Sequence, residues 1–155
     1  MTYWRRLHEW MPAGVWQSIH EAILRRLPKY DQFAWERACI NAASVPSPRG
    51  GEHTGRNPTD RGKLGCKHRI LVDQRGLPLV TQISGAQVHD FQLLIPIIKA
   101  IPAIKGLSGR ALKRPGQLHA DRAYASRAHR AWLRRRGIAA RIARYGIKSR
   151  EQLGR

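Results

Sequence analysis

The chain is poor in three features that would each indicate a particular class of protein. Its two cysteines, Cys39 and Cys66, cannot build a disulfide framework, and they match no zinc-binding spacing. No continuous apolar run approaches the roughly 18 residues that a membrane-spanning helix needs. The segment Met1–Trp10 also lacks the hydrophobic stretch of a secretory signal. We therefore expect neither a disulfide-stabilised secreted protein, nor a zinc finger, nor a membrane protein.

Acidic residues are scarce as well. The 155 residues include 10 Asp and Glu against 29 Lys and Arg, which gives a formal net charge of +19. So basic a chain repels itself unless a polyanion neutralises it, and nucleic acid is a more usual polyanion than an anionic membrane surface. Most of the basic residues are arginines, which bind phosphate through a bidentate fork. We therefore favour a nucleic-acid partner over a basic face that is merely solvated.

The N-terminal residues have the spacing of two short amphipathic helices. Apolar residues recur with helical periodicity over 4–11 and again over 15–27, on either side of the interruption at Pro12–Gly14. This pattern predicts a helical segment over residues 1–30. Two interpretations remain open: a helix-turn-helix that binds DNA, and a helical hairpin that only packs against a core.

The rest of the chain predicts a mixed α/β sheet. Strand-like runs at 67–72 and 77–83 flank a turn at 73–76, which is typical of an antiparallel hairpin. Residues 33–43 fit either a strand or a short helix. Further helices are expected near 91–101 and 126–136, and further strands near 118–121 and 138–142. This order predicts an α/β fold with right-handed crossovers.

Two details of this pattern are specific enough to be checked. Asp90 is a candidate N-cap for the helix over 91–101, and Pro96 predicts that the regular helix begins only there. The stretch from Ser44 to Cys66 contains several Pro and Gly residues and reads as a long loop. Loops of this length are usually functional or disordered.

Asp121 is the acidic residue whose position is most typical of a metal ligand. It ends the apolar run Leu118–Ala120, whereas Asp73 and Asp90 occupy turn or cap positions. A carboxylate at the end of a buried strand can hold a metal at the edge of a sheet. It can also serve as a structural hydrogen-bond acceptor, and the spacing alone leaves both roles open.

Taken together, these residues resemble the DDE transposases of bacterial insertion sequences, in particular the group around insertion sequence five. The resemblance covers nearly the whole chain, and its most specific part is Asn57–Lys63. The matching segments are Trp35–Val45, Thr54–Lys63, Val88–Asp90, His119–Tyr124 and Ser126–Arg130. The resemblance implies an RNase H-like catalytic domain over 31–155, preceded by the remnant of a DNA-binding region over 1–30. It also implies a cytoplasmic, nucleoid-associated bacterial protein.

The resemblance further implies a site of two Asp and one Glu around two Mg²⁺ or Mn²⁺ ions, which cleave and join DNA by in-line displacement at phosphorus. Asp121 matches the second Asp. The position of the first Asp holds Asn41, whose amide oxygen is a neutral ligand. The helix that bears the Glu is expected beyond the end of the sequence, and Glu151 falls in the segment before it.

We therefore predict an incomplete or degenerate transposase, or one frame of a frameshifted product, with impaired activity. Its implied partners are the terminal inverted repeats and target DNA, on which it would form a homo-oligomer, and no membrane is involved. Phosphate contacts are expected from five basic residues: Arg56, Arg61, Lys63, Lys113 and Arg114. One alternative is a non-catalytic DNA-binding fragment. Another is a basic RNA-binding protein, which explains the charge but not Asn57–Lys63 or the context of Asp121.

Overall fold

The computed structural model describes residues 2–27, 34–104, 111 and 113–143. The chain divides into two compact units, one of residues 1–33 and 102–113, the other of residues 34–101 and 114–155. The predicted boundary between residues 30 and 31 lies outside the described residues, so the domain limits stay a prediction. No described helix is long and apolar enough to cross a membrane.

The first unit contains the two predicted N-terminal helices, α1 (Tyr3–Trp10) and α2 (Val15–Arg26). Gly14 precedes α2 with a φ of 67°, a left-handed conformation that glycine adopts without steric cost. None of the side chains of α1 is buried, and α2 buries Leu24. The helical segment is thus confirmed, whereas its role as a DNA-binding element stays a prediction.

The second unit is built on a six-stranded mixed sheet. Its strands are β1 (Arg37–Pro46), β2 (Gly55–Arg56), β3 (Leu64–Asp73), β4 (Pro78–Gly85), β5 (Gln117–Ala120) and β6 (Ala139–Ile142). β1 is central, since it pairs antiparallel with β3 on one edge and parallel with β5 on the other. β6 continues the sheet parallel to β5, and the second edge of β3 pairs with β2 and β4. The ambiguous segment 33–43 therefore contributes a strand, and the predicted α/β class is confirmed.

The predicted hairpin is formed by β3 and β4, and Asp73 fixes its turn. The Asp73 carboxylate accepts hydrogen bonds from the backbone N–H groups of Arg75 and Leu77, at 2.9 and 2.8 Å. Gly76 adopts a φ of 85° in the same turn. Asp73 is therefore a buried turn residue, as its place in the sequence predicted.

Two helices, α3 (Asp90–Lys99) and α4 (Arg127–Arg135), accompany the sheet. The expectation that α3 would begin regularly only at Pro96 is wrong, because α3 starts at Asp90 and contains Pro96. His89, not Asp90, is its N-cap residue, with the imidazole accepting from the Phe91 N–H. Pro96 removes one internal hydrogen bond, but burial of Leu94, Ile97 and Ile98 stabilises the helix around it.

One face of the sheet is packed and the other is open among the described residues. Alternate residues of β1 are buried, including Ala38 and Ile40, whereas Cys39 and Asn41 between them are exposed. Because successive side chains of a strand point to opposite faces, Ala38 and Ile40 share the packed face, and Cys39 and Asn41 share the other. Asn41 therefore stands on the open face, where the candidate site lies.

Candidate active site

The structure brings Asn41 and Asp121 together on neighbouring strands. The parallel register of β1 and β5 places Ile40 opposite Ala120. Asn41 follows Ile40 and Asp121 follows Ala120, so these two residues lie side by side. Both residues are exposed, and both line a shallow pocket of about 370 Å³. The sequence separates these two positions widely, and the sheet makes them neighbours.

Local hydrogen bonds orient both side chains. The Asn41 Oδ1 atom accepts a hydrogen bond from the N–H of Ala42 at 2.8 Å. The Asp121 carboxylate accepts one from the Arg122 N–H and thereby caps the short 3₁₀ turn Arg122–Tyr124. Asp121 therefore combines the structural role considered for it with an exposed carboxylate at the end of β5.

The donor set around Asp121 is too poor for a pair of divalent ions. Two dications need several anionic oxygen ligands, whereas this pair offers one carboxylate and one neutral amide. Across the described ranges, no three His, Cys, Asp or Glu side chains are grouped so that they could hold a metal ion. The described residues thus do not fit a two-metal centre, and the neutral amide of Asn41 is one reason.

Sequence reasoning missed two arginines, Arg37 and Arg141, on the same open face as Asn41. The register places Cys39 opposite His119 and His119 opposite Arg141, and the three residues line the pocket that holds Asp121. Burial lowers the pKa of His119, and the charges of Arg37 and Arg141 lower it further. The imidazole is therefore neutral at neutral pH, and the positive charge here belongs to the two guanidinium groups.

Behind the site, Arg69 joins β3, β4 and the start of α3. Its side chain has no exposed surface and lies 2.9 Å from the Asp90 carboxylate, through Nε. It also donates to Ser84 Oγ at 2.6 Å and to the Val88 carbonyl at 2.7 Å. Lys67 lies 3.4 Å from the other Asp90 oxygen. Asp90 is therefore the partner of a buried cation, which explains why it does not cap α3.

Tyr124 connects this buried pair with the turn that follows Asp121. It is 1% exposed, and its hydroxyl makes no hydrogen bond of regular geometry with the described residues. Burial and the charge of Asp90 raise the pKa of Tyr124 to about 12, while Arg69 acts in the opposite direction. The phenol is therefore neutral at every pH at which the protein would work.

The raised pKa of Tyr124 predicts a loss of stability in strong alkali. An unfolded tyrosine ionises near 10.0, whereas the folded one ionises near 12, so the unfolded state releases its proton first. The stability of the wild type should therefore fall more steeply than that of Tyr124→Phe as the pH rises between these two values. Urea unfolding of both proteins across this range measures the difference, and parallel curves would contradict the assignment.

The Asn57–Lys63 segment is an ordered closed loop between β2 and β3. The Asn57 N–H donates to the Lys63 carbonyl at 2.8 Å, and the Asn57 side chain accepts from the N–H and hydroxyl of Thr59. Arg61 and Gly62 follow with φ angles of 49° and 74°. The stretch from Ser44 to Cys66, which was expected to be one long loop, is therefore divided: β1 extends to Pro46, β2 forms at Gly55–Arg56, and β3 begins at Leu64.

β2 and the loop that follows it carry three of the five residues predicted to contact phosphate. Arg56 belongs to β2, and Arg61 and Lys63 belong to the loop, and all three side chains are exposed. No salt bridge to a described carboxylate neutralises any of them. The loop therefore offers three cations to an outside anion from a backbone that is already ordered.

The other two predicted contacts, Lys113 and Arg114, fall in different units. Lys113 is an exposed residue of the first unit. Arg114 belongs to the second unit, where its guanidinium donates to the Arg136 carbonyl at 2.6 Å. That carbonyl lies just past the end of α4, so Arg114 has a structural hydrogen bond in addition to an exposed charge.

Comparison with known proteins identifies the domain. Residues 37–153 match the family model described as "Transposase DDE domain". The chain is 46% identical over 106 residues to a Burkholderia cepacia protein named "Putative transposase for insertion sequence element IS402", covering 68% of this chain and 50% of that protein. It is 38% identical over 58 residues to an uncharacterized 16.2 kDa protein of the same insertion element, covering 37% of this chain and 40% of that one. The chain spans about half the length or less of these relatives.

These matches agree with the architecture. The mixed six-stranded sheet with its flanking helices is consistent with the RNase H-like fold of DDE transposases. The expectation of a bacterial insertion-sequence transposase is confirmed, while the matches do not specify the group around insertion sequence five. The chain belongs to the DDE transposase family of bacterial insertion sequences.

Proposed function

We propose that this chain holds DNA as part of an insertion-sequence transposase and is impaired in cleaving and joining it. The observation that supports this proposal is that Asn41 and Asp121 line one pocket and together offer a single carboxylate, where the resemblance to DDE transposases implies two Asp. The proposed substrates are the terminal inverted repeats and target DNA, bound by a homo-oligomer near the bacterial nucleoid. Mg²⁺ or Mn²⁺ is the ion that a complete acidic site of this kind would use.

DNA binding and DNA cleavage depend on different residues, so this chain can keep the first and lose the second. Phosphate binding depends on Lys and Arg and requires none of the acidic ligands. The exposed cations Arg56, Arg61 and Lys63 project from β2 and the hydrogen-bonded loop that follows it, so they can engage a DNA backbone without first being ordered. The proposal therefore predicts strong, salt-sensitive DNA binding by a protein with weak catalysis.

The loop is tested by the variant Arg61→Ala/Lys63→Ala. Each phosphate contact contributes about 0.9 to the slope of log K against log salt concentration, so the double variant should lose roughly two units of slope. Fluorescence anisotropy with a labelled duplex at several salt concentrations measures this slope. The matched control is Lys99→Ala/Arg127→Ala, which removes two exposed charges from α3 and α4. An unchanged slope in the loop variant would show that the loop does not touch DNA.

Impaired catalysis has its own test. The purified chain is incubated with a duplex bearing terminal inverted repeats and with Mg²⁺ or Mn²⁺, and cleaved and joined products are resolved by electrophoresis. We expect DNA binding in the same samples without strand transfer. Robust metal-dependent strand transfer by the wild-type chain would refute the impairment, even if the salt-sensitive binding were found.

A further inference from the structure

We propose that Arg141 is a phosphate-binding residue of the Asn41–Asp121 pocket, placing one DNA backbone phosphate beside Asp121. This inference rests on the proposed function, since it names residues that contact the DNA which the chain is proposed to hold. The proposed DNA contacts of the Asn57–Lys63 loop would thus be joined by a further phosphate contact, from a residue on the open face of the sheet. Arg37 and the imidazole of His119 lie on the same face of the sheet as Arg141.

The strand register is the first observation behind this assignment. His119 of β5 is opposite Arg141 of β6, and Ala120 is opposite Ile142. Leu118 and Ile142 are buried, so the alternate residues His119 and Arg141 share the open face, as Asn41 does. Arg141 and Asp121 consequently line the same pocket.

The second observation is that Arg141 has no carboxylate partner among the described residues. Its guanidinium has one described hydrogen bond, from Nε to Gln117 Oε1 at 3.4 Å, and no described salt bridge. Arg69, in contrast, is held by Asp90 at 2.9 Å and also donates to Ser84 and Val88. The guanidinium of Arg141 thus keeps donors for an outside anion, while that of Arg69 is structural.

The surroundings of Arg141 favour a phosphate over a neutral ligand. Arg37 is exposed and pairs with Gln117 in the strand register, so it lies on the same face of the sheet as His119 and Arg141. Two guanidinium groups therefore share this face with one imidazole, and their two positive charges exceed the single negative charge of the Asp121 carboxylate. A phosphodiester offers the charge and the acceptor oxygens that match a bidentate arginine.

The inference is tested on the full chain with Arg141→Ala, Arg141→Lys and the matched control Arg127→Ala. A short labelled duplex of mixed sequence serves as the probe, and binding is followed against salt concentration. Arg141→Ala should lose about one unit of slope and bind roughly tenfold more weakly near 0.1 M salt. Arg141→Lys should restore the slope, because the lysine keeps the charge, and Arg127→Ala should leave it unchanged. Thermal unfolding followed by circular dichroism checks the folding of each variant, with Arg141→Gln as the replacement if alanine unfolds the protein.

The outcomes separate this inference from the proposed function. Salt-sensitive binding by the wild type with an unchanged slope in Arg141→Ala would overturn the role of Arg141 alone. An equal loss of slope in Arg127→Ala would also overturn it, since the effect would then reflect total charge. Absence of salt-sensitive binding by the wild type would overturn the proposed function itself.

Discussion

Replacing Arg69 with leucine is expected to lower the free energy of unfolding by about 3 kcal/mol, because the loss of the buried partner leaves the Asp90 carboxylate with only the longer contact to Lys67, at 3.4 Å. The Arg69 side chain has no exposed surface, and that of Asp90 is 18% exposed. The variant would also leave Ser84 Oγ and the Val88 carbonyl without the donors that Arg69 supplies. Few single substitutions in this chain should cost as much.

A double variant and a surface variant give this prediction two controls. In Arg69→Leu/Asp90→Leu both charges of the buried pair are removed, and only the partly exposed Lys67 loses its carboxylate, so part of the stability should return, since an apolar pair can replace a buried ion pair at little cost. Arg127→Leu changes an exposed arginine and should stay within about 0.5 kcal/mol of the wild type. Urea unfolding measures all four proteins. If the double variant is as unstable as Arg69→Leu, the loss of stability comes from lost packing and not from the Asp90 charge.

Asn41→Asp is expected to strengthen the binding of Mn²⁺ or Mg²⁺ by roughly thirtyfold. A unit negative charge about 4 Å from a dication gains about 2 kcal/mol even at the dielectric constant of water. The new carboxylate would stand beside Asp121 at the end of β5, because the register makes these two positions neighbours. The pair would then offer two anionic ligands where the wild type offers one.

Isothermal titration calorimetry with MnCl₂ measures this gain without relying on catalysis. Asn57→Asp is the matched control, since it adds the same charge to a loop far along the chain from the pair. Asn41→Asp/Asp121→Asn exchanges the two residue types and should bind the ion no better than the wild type. Equal affinities for Asn41→Asp and the wild type would mean that the two side chains do not form one site.

Much of the fold could be predicted because its signals are local. The β3–β4 hairpin follows from two strand-like runs and the turn at Asp73, whose hydrogen bonds involve residues only a few positions away. The helix expected near residues 126–136 also has a local signal, since Ser126 Oγ accepts a hydrogen bond from the N–H of His129 at its start. Family resemblance was needed for the Asn41–Asp121 pair, because no rule of spacing reveals that β1 and β5 are parallel neighbours.

The errors have a common physical cause in tertiary contacts. Asp90 has the ideal place for an N-cap, but a buried arginine from β3 competes for its carboxylate. Pro96 is unfavourable within a helix, but three buried residues around it outweigh the lost hydrogen bond. Arg141 is one of many arginines in a very basic sequence, and only the sheet register distinguishes it from the solvated ones.

The central position of β1 also determines when the pocket can form during folding. The β3–β4 hairpin closes a short turn, whereas the pairing of Arg37 with Gln117 joins strands that lie far apart along the chain. Closing so large a loop is entropically costly, and non-local pairing of this kind folds slowly. During synthesis on the ribosome, the edge of β1 that pairs with β5 stays unpaired until β5 has been made. An unpaired strand edge is prone to aggregation. The pocket of a nascent chain is therefore assembled late, after the hairpin beside it has formed.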